Sequence, residues 1–198
     1  LAPESLWLLE ADYGFLPDSH PAVQFLRERL EVLLPDIAPE DRVPVHVLAR
    51  AGEGINAMVF PNGTIVLPPE LLKAVEFVEE ADFVLLHELN HWYREHHEAL
   101  QASHDRLLKS LGLARYHEYD ADMAAFYQAA EERRRTSSQG ALAFLERLRD
   151  IERQHPGRVT WEAVHGTLTD RILNLKVATR LRDFLRLERE LTPMDAHV

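Results

Sequence analysis

Apolar residues recur three and four apart along most of this 198-residue chain, and only one stretch switches to a two-residue alternation. The helical period predicts helices over 3–12 and 21–34, the second opened by Ser19 as N-cap and stopped at Pro35. The alternation appears in "RVPVHVLA" (42–49). Short β-prone runs follow at "INAMVF" (55–60) and "TIVLP" (64–68), separated by the turn signal "PNG" (61–63). This predicts a strand followed by a β-hairpin. From Pro69 the helical period returns, with a short helix over 70–75, a long apolar one over 80–100, another over 104–111 and a strong one over 114–134. "RRRTSSQG" (133–140) is the best candidate for a flexible break. Beyond it come a helix over 141–153, a Pro-Gly turn at Pro156 and Gly157, and a last helix over 169–190. No internal repeat or low-complexity segment interrupts this order. The expected fold is α+β and predominantly helical, with a small sheet or hairpin packed on the long apolar helix.

Composition narrows the classes of function. With 46% apolar residues the chain can bury a core as a single domain spanning 1–198. Acidic residues outnumber basic ones 33 to 22, for a net charge of -11, and no Lys/Arg stripe stands apart, so nucleic acid is not an expected partner. There is no cysteine, which removes disulfides, thiolate metal sites and a cysteine nucleophile. Any zinc has to be held by histidine and carboxylate. No apolar stretch is long enough to span a bilayer, and the first residues, "LAPESLWLLEADYG", are acidic where a signal peptide is basic. A cytoplasmic protein is expected, although the start at Leu1 leaves a removed leader open.

The chemistry concentrates in "VLLHELNHWYREHHE" (84–98), four histidines and three glutamates in a run whose first half is too apolar for a surface. On a helix His87 and His91 lie one turn apart, about 40° from each other, so both imidazoles can reach one ion. Glu88 sits about 100° round, near enough to touch a water on that ion without binding the ion itself. This is the zincin arrangement of two histidine ligands, a glutamate general base and an open position for water. The bland alternative is a structurally satisfied histidine pair, but an apolar central helix does not carry such groups without partners.

His97 follows His87 at the metzincin spacing, yet Arg94 stands where that class has its helix-breaking glycine. In a continuing helix His97 projects about 80° and His96 about 180° away from His87. A polar, solvated helix end is the simpler reading of both. The better third ligand lies in "HEYDADMAAFYQAA" (117–130). Glu118 and Asp122 share one helix face with the small residues Ala121 and Ala125, which permit close approach of another helix. Glu118 is expected to coordinate the metal. Asp122 is expected to accept a hydrogen bond from the distal nitrogen of His87 or His91. Asp120 points to the opposite side and His117 is rotated about 100°, so neither competes well. Read in isolation, a Glu and an Asp at this spacing would be solvated surface groups; the preceding His-Glu-x-x-His helix changes their meaning.

With "HELNH" (87–91) followed by "EYDAD" (118–122), the chain resembles the gluzincin metallopeptidases of the HtpX and CAAX-prenyl endopeptidase type. "INAMVFPNGTIVLPPELL" (55–72) is similar to that family's Asn-Ala strand, hairpin and short helix, and "HGTLTDRILNL" (165–175) to its His-Pro and Arg-Ile segment. The resemblance covers 43–175 with the four elements in the family's order, leaving 1–42 and 176–198 as helical extensions. Without transmembrane segments the chain looks like a soluble, minigluzincin-like member. Three positions depart from the pattern: Asn90 replaces a small residue inside the motif, Pro69 and Glu70 replace a small or glycine residue before the Leu-Leu pair, and Gly166 replaces the proline after His165.

The resemblance implies a zincin-like catalytic domain holding one Zn2+ ion and hydrolysing peptide bonds in a protein or peptide substrate, with Glu88 moving the proton. It further implies that His165 faces the oxyanion, that Arg171 braces the site by pairing with Asp122 or Glu118, and that Asn56 and Ala57 lie on the edge binding an extended substrate. Two other readings stay open: a cytosolic regulator-cleaving peptidase similar to the ImmA/IrrE type, and a catalytically silent protein whose zinc clamps two helices.

Overall fold

The computed structural model of the chain describes residues 3–52, 54–94, 113–157, 159, 167–183 and 191–195. Helix α1 (Pro3–Tyr13) and helix α2 (Pro21–Leu33) precede the strands β1 (Val45–Val47), β2 (Met58–Val59) and β3 (Ile65–Leu67). The helices α3 (Pro69–Ala74), α4 (Val78–Tyr93), α5 (Leu113–Ala129), α6 (Gln139–Gln154) and α7 (Leu168–Asp183) follow. The architecture is α+β and predominantly helical with a small three-stranded sheet. The expected helix over 104–111 lies outside the described residues, as do the final turns expected for the 80–100 and 169–190 helices.

Two local differences from the sequence reading have physical causes. His20, not Ser19, caps α2, its Nδ1 accepting from the Ala22 amide at 3.2 Å. The first strand is shorter than 42–49 and pairs in parallel with β3, Val45 opposite Ile65 and Val47 opposite Leu67. β2 pairs antiparallel with β3, Met58 opposite Val66, so the sheet order is β1-β3-β2 and the hairpin's first strand is an edge. At the turn Gly63 has φ +84°, and a Cβ there would stand 2.9 Å from the Trp92 ring and 3.0 Å from Val43. Trp92 Nε1 donates to the Pro61 carbonyl at 2.9 Å, seating the hairpin turn on the C-terminal end of α4.

α4 is the central element. Every residue from Glu79 to His91 is buried, including three acids in its first turns. Glu80 accepts the backbone amides of Glu76 (2.6 Å) and Phe77 (3.1 Å) ahead of the helix and is forked by Arg147 through Nε (3.0 Å) and Nη2 (2.9 Å). Asp82 is forked by Arg29 through Nε (2.7 Å) and Nη2 (2.8 Å) and accepts from Thr136 Oγ1 at 2.5 Å. Glu79 accepts the Thr192 amide at 2.7 Å, drawing residues 192–194 across the start of the helix. Each of these three carboxylates thus has donors that offset the cost of burying it.

The stretch 133–140 is not a loose break. Thr136, Ser137 and Ser138 are buried, and a Cβ on Gly140 would fall 2.2 Å from the Glu79 carbonyl oxygen. The chain uses the missing side chain to bring α6 against α4. The apolar core runs from α2 (Leu26, Leu30, Leu33) through the sheet (Ile65, Leu67) and α4 (Phe83, Leu85) to Phe144 and Leu148 of α6. No helix among the described residues is long and apolar enough to cross a membrane.

Candidate metal centre

Two histidines one turn apart on α4 turn their Nε2 atoms toward each other at 3.1 Å. α5 crosses at this level because Ala121 and Ala125, both fully buried, leave no side-chain bulk between the helices. The crossing delivers Glu118, whose Oε2 lies 3.2 Å from His87 Nε2 and whose Oε1 lies 3.2 Å from His91 Nε2. A ligand atom from each of the three residues falls within 4.8 Å of the others, and all three residues are buried. Tetrahedral zinc with bonds of about 2.0–2.2 Å separates its ligand atoms by roughly 3.3–3.6 Å, and the 3.1 Å between the two Nε2 atoms and the 3.2 Å from each of them to its nearer Glu118 oxygen are of that order. The donor set also suits it, since lone pairs of two imidazoles and a carboxylate converge and repel unless a cation or protons stand between them.

Glu88 is 2% exposed, and its Oε1 has no hydrogen-bond partner among the described residues. Burial pushes its carboxyl above the usual range, the charges of His87 and His91 pull it down less strongly, and Glu118 adds to the rise. A buried carboxylate left without a donor is a group held ready for something absent from the protein itself.

Behind the triangle, His87 Nδ1 meets Asp122 Oδ1 at 3.0 Å, so of the two histidines it is His87 that Asp122 orients. Asp122 is in turn held by Arg171 of α7, with Nε to Oδ2 at 2.6 Å and Nη2 to Oδ1 at 2.5 Å. Burial alone would lower the His87 pKa, but the hydrogen bonds and charges of Asp122 and Glu118 outweigh it and hold the ring up at about 9. Burial alone would raise that of Asp122, and Arg171 with His87 reverse the sign and lower it.

The other singled-out residues fall as follows. His117 is buried and its pKa is lowered by burial and by the neighbouring His91, but it is not part of the ligand triangle. Asp120 faces away and pairs with Arg94 Nη1 at 2.6 Å. Ala57 is buried and Asn56 half-buried, and they lead directly into the edge strand β2, which packs on α4. His165 and Gly166 lie outside the described residues, as do His96 and His97.

Asn90, a departure from the motif at the level of sequence, acquires a partner in the fold. Its Nδ2 donates to Gln128 Oε1 at 2.9 Å and to the Leu86 carbonyl at 2.7 Å, while Gln128 Nε2 returns a bond to Asn90 Oδ1 at 3.3 Å. This amide pair ties α4 to α5 from a position between His87 and His91 on α4. No spacing rule connects residues 38 apart, so the sequence carried no signal for it.

The histidine helix and its sheet coincide with a known family's signature. Residues 26–111 match Peptidase family M48. The matched segment takes in α2 from Leu26, all three strands, α3 and the whole of α4, so His87, Glu88 and His91 fall inside it. Glu118, Asp122 and Arg171 lie downstream of it and join the site through the fold. No curated protein matches the chain closely enough to count as a relative. The M48 match supports a metallopeptidase, hence a hydrolase acting on protein or peptide, and the His87, His91 and Glu118 cluster is a site that could bind its metal.

Proposed function

We infer that the protein is a zinc-dependent endopeptidase of the gluzincin type, similar to the soluble minigluzincin-like members of the HtpX and CAAX-prenyl class. The observation that carries this is the pair of His87 and His91 Nε2 atoms 3.1 Å apart, each 3.2 Å from a different oxygen of Glu118, beside the buried Glu88 whose Oε1 has no hydrogen-bond partner among the described residues. His87, His91 and Glu118 would hold one Zn2+. When bound, the ion supplies Lewis acidity to the scissile carbonyl and to a water.

The remaining chemistry belongs to the chain. Glu88, adjacent to the ligands and outside their set, accepts a proton from the attacking water at its unpartnered Oε1 and passes it to the departing amine nitrogen. Its raised pKa suits that exchange, because the same carboxyl must take a proton and then release it. Asp122 keeps the His87 ring turned with Nε2 toward His91 and Glu118, where it would hold the ion, and Arg171 keeps Asp122 charged. By resemblance we assign His165 to the oxyanion. An extended peptide adds to the outer edge of β2 beside Asn56 and Ala57, bound mainly through its backbone.

The test is Glu88→Gln. The wild-type protein is expected to bind one zinc per chain and to cleave an unfolded protein substrate; the variant should keep the zinc and lose hydrolysis by roughly 10²–10⁴-fold. Undiminished proteolysis in the variant discards the mechanism.

A further inference from the structure

A cavity of about 670 Å³ opens between Ala51, Gly52, Gly54 and Ile55, α3 and the C-terminal end of α6, within the size range of small-ligand pockets, roughly 300–1,000 Å³. Ile55 and Ile151 give it apolar walls, and His155 stands at its exposed rim. Glu70 lines it too. Its Oε2 is shut off from solvent and has no hydrogen-bond partner among the described residues.

An acid in a helix's first turn ordinarily points into water, where the carboxylate is solvated. This one is half-desolvated and unpaired, a state that a hydrogen-bond donor entering the cavity would relieve. Lys73 lines the same cavity one turn further along α3, but it is exposed and makes no ion pair with Glu70.

The cavity's place in the fold gives it a use. Ile55, on its wall, is followed at once by Asn56 and Ala57 and then by the edge strand β2. Three residues of extended chain span about 10 Å, so a peptide lying along that edge passes the cavity a few residues from the bond beside α4. We propose that this cavity is a substrate side-chain pocket that takes a lysine or arginine, the cationic head paired with Glu70 and the aliphatic stem against Ile55 and Ile151. The stem-and-head division matches how such side chains bury methylenes while keeping the charge on a polar partner. The net charge of -11 favours approach of a basic peptide. The proposal rests on the peptidase reading in one respect, that peptide lies along β2.

The test measures binding, so it does not depend on turnover. Zinc-loaded Glu88→Gln protein is titrated by fluorescence anisotropy with labelled ten-residue peptides in which lysine, arginine, norleucine or glutamate is moved through each position. At one position lysine and arginine are expected to bind about ten- to a hundred-fold more tightly than norleucine, as a charge-assisted hydrogen bond in a desolvated pocket implies. Adding Glu70→Gln should reduce that ratio to about twofold or less, Glu70→Asp should retain part of it, and Glu70→Lys should make glutamate the preferred residue; melting curves establish that each variant is folded. Failure of every position to prefer a cation, including failure to bind, overturns the proposal, as does a preference that survives Glu70→Gln. Cationic preference without any proteolysis by the wild type would sink the peptidase reading alone, and proteolysis without cationic preference would sink this one alone.

Discussion

Arg171 holds Asp122 by both carboxylate oxygens, at 2.6 and 2.5 Å, with each residue 3% exposed, and Asp122 holds His87. Three elements, α7, α5 and α4, are thereby connected through charge in a place where water does not reach. The orientation of the His87 ring depends on a residue 84 positions downstream of it.

Removing the cation from this pair is expected to be costly. Arg171→Met leaves buried Asp122 with His87 as its remaining charged partner and should destabilise the fold by about 3 kcal/mol. Arg171→Lys keeps the charge but loses the fork and should fall between the two. Urea denaturation of the three proteins gives the order directly; an Arg171→Met variant as stable as the wild type would show that the pair contributes nothing.

Asp122→Asn addresses the metal more than the fold. The amide can still meet His87 Nδ1, yet it no longer provides the negative charge that raises the ring's basicity. Zinc affinity is expected to drop about 10–100-fold, the usual effect of losing an outer carboxylate partner, and a chelator-competition titration reads it.

The pH dependence should reverse sign on metal loading. In the metal-free protein His87 has its pKa raised from 6.5 to about 9. The stability this contributes is complete below about 6.5 and is lost as pH rises through about 9. The ion instead requires the unprotonated ring, so protons compete with it and zinc affinity rises across the same window. The melting temperature of chelator-treated protein is expected to fall between pH 6.5 and 9, while the stabilisation added by zinc grows. Parallel curves with and without metal would contradict the assignment of His87 as a ligand.

Gly140→Ala tests the helix contact that carries no chemistry. The added carbon would lie 2.2 Å from the Glu79 carbonyl oxygen and 2.7 Å from its Cβ, backbone and packed side chain that cannot yield cheaply. A loss of about 3 kcal/mol or more is expected, at the upper end for overpacking. Chemical denaturation checks it.

The amide pair between Asn90 and Gln128 should behave as a unit. Asn90→Ala leaves the half-buried Gln128 amide without this partner and is expected to destabilise by about 1 kcal/mol, whereas adding Gln128→Ala should cost much less than a second independent loss. Strict additivity in the double-mutant cycle would show that the two amides do not interact.

The local part of this protein was legible before any folding. One turn of helix puts His87 and His91 on one face wherever that helix sits, and the same rule pairs Glu118 with Asp122. The apolar run "FVLL" foretold a buried helix, and α4 is buried from Glu79 to His91. Several features were invisible because their partners come from far along the chain. Nothing in the spacing of Glu79, Glu80 and Asp82 shows that Thr192, Arg147 and Arg29 will supply the donors that let them be buried. The polar stretch 133–140 read as a break for the same reason, since nothing local shows that Thr136 will meet Asp82 or that Gly140 will lie on Glu79.

By itself, then, the sequence determined which side chains share a face, because helical and strand periods are properties of the backbone and act over a few residues. Tertiary structure decided which faces meet: that α5 crosses α4 at Ala121 and Ala125 so that Glu118 arrives beside the histidines, that β1 runs parallel to β3, that Asp122 serves His87 and not His91, and that Glu70 opens on a cavity. Those outcomes depend on packing between segments tens of residues apart, where shape and charge complementarity over the whole core, not spacing along one element, select the arrangement.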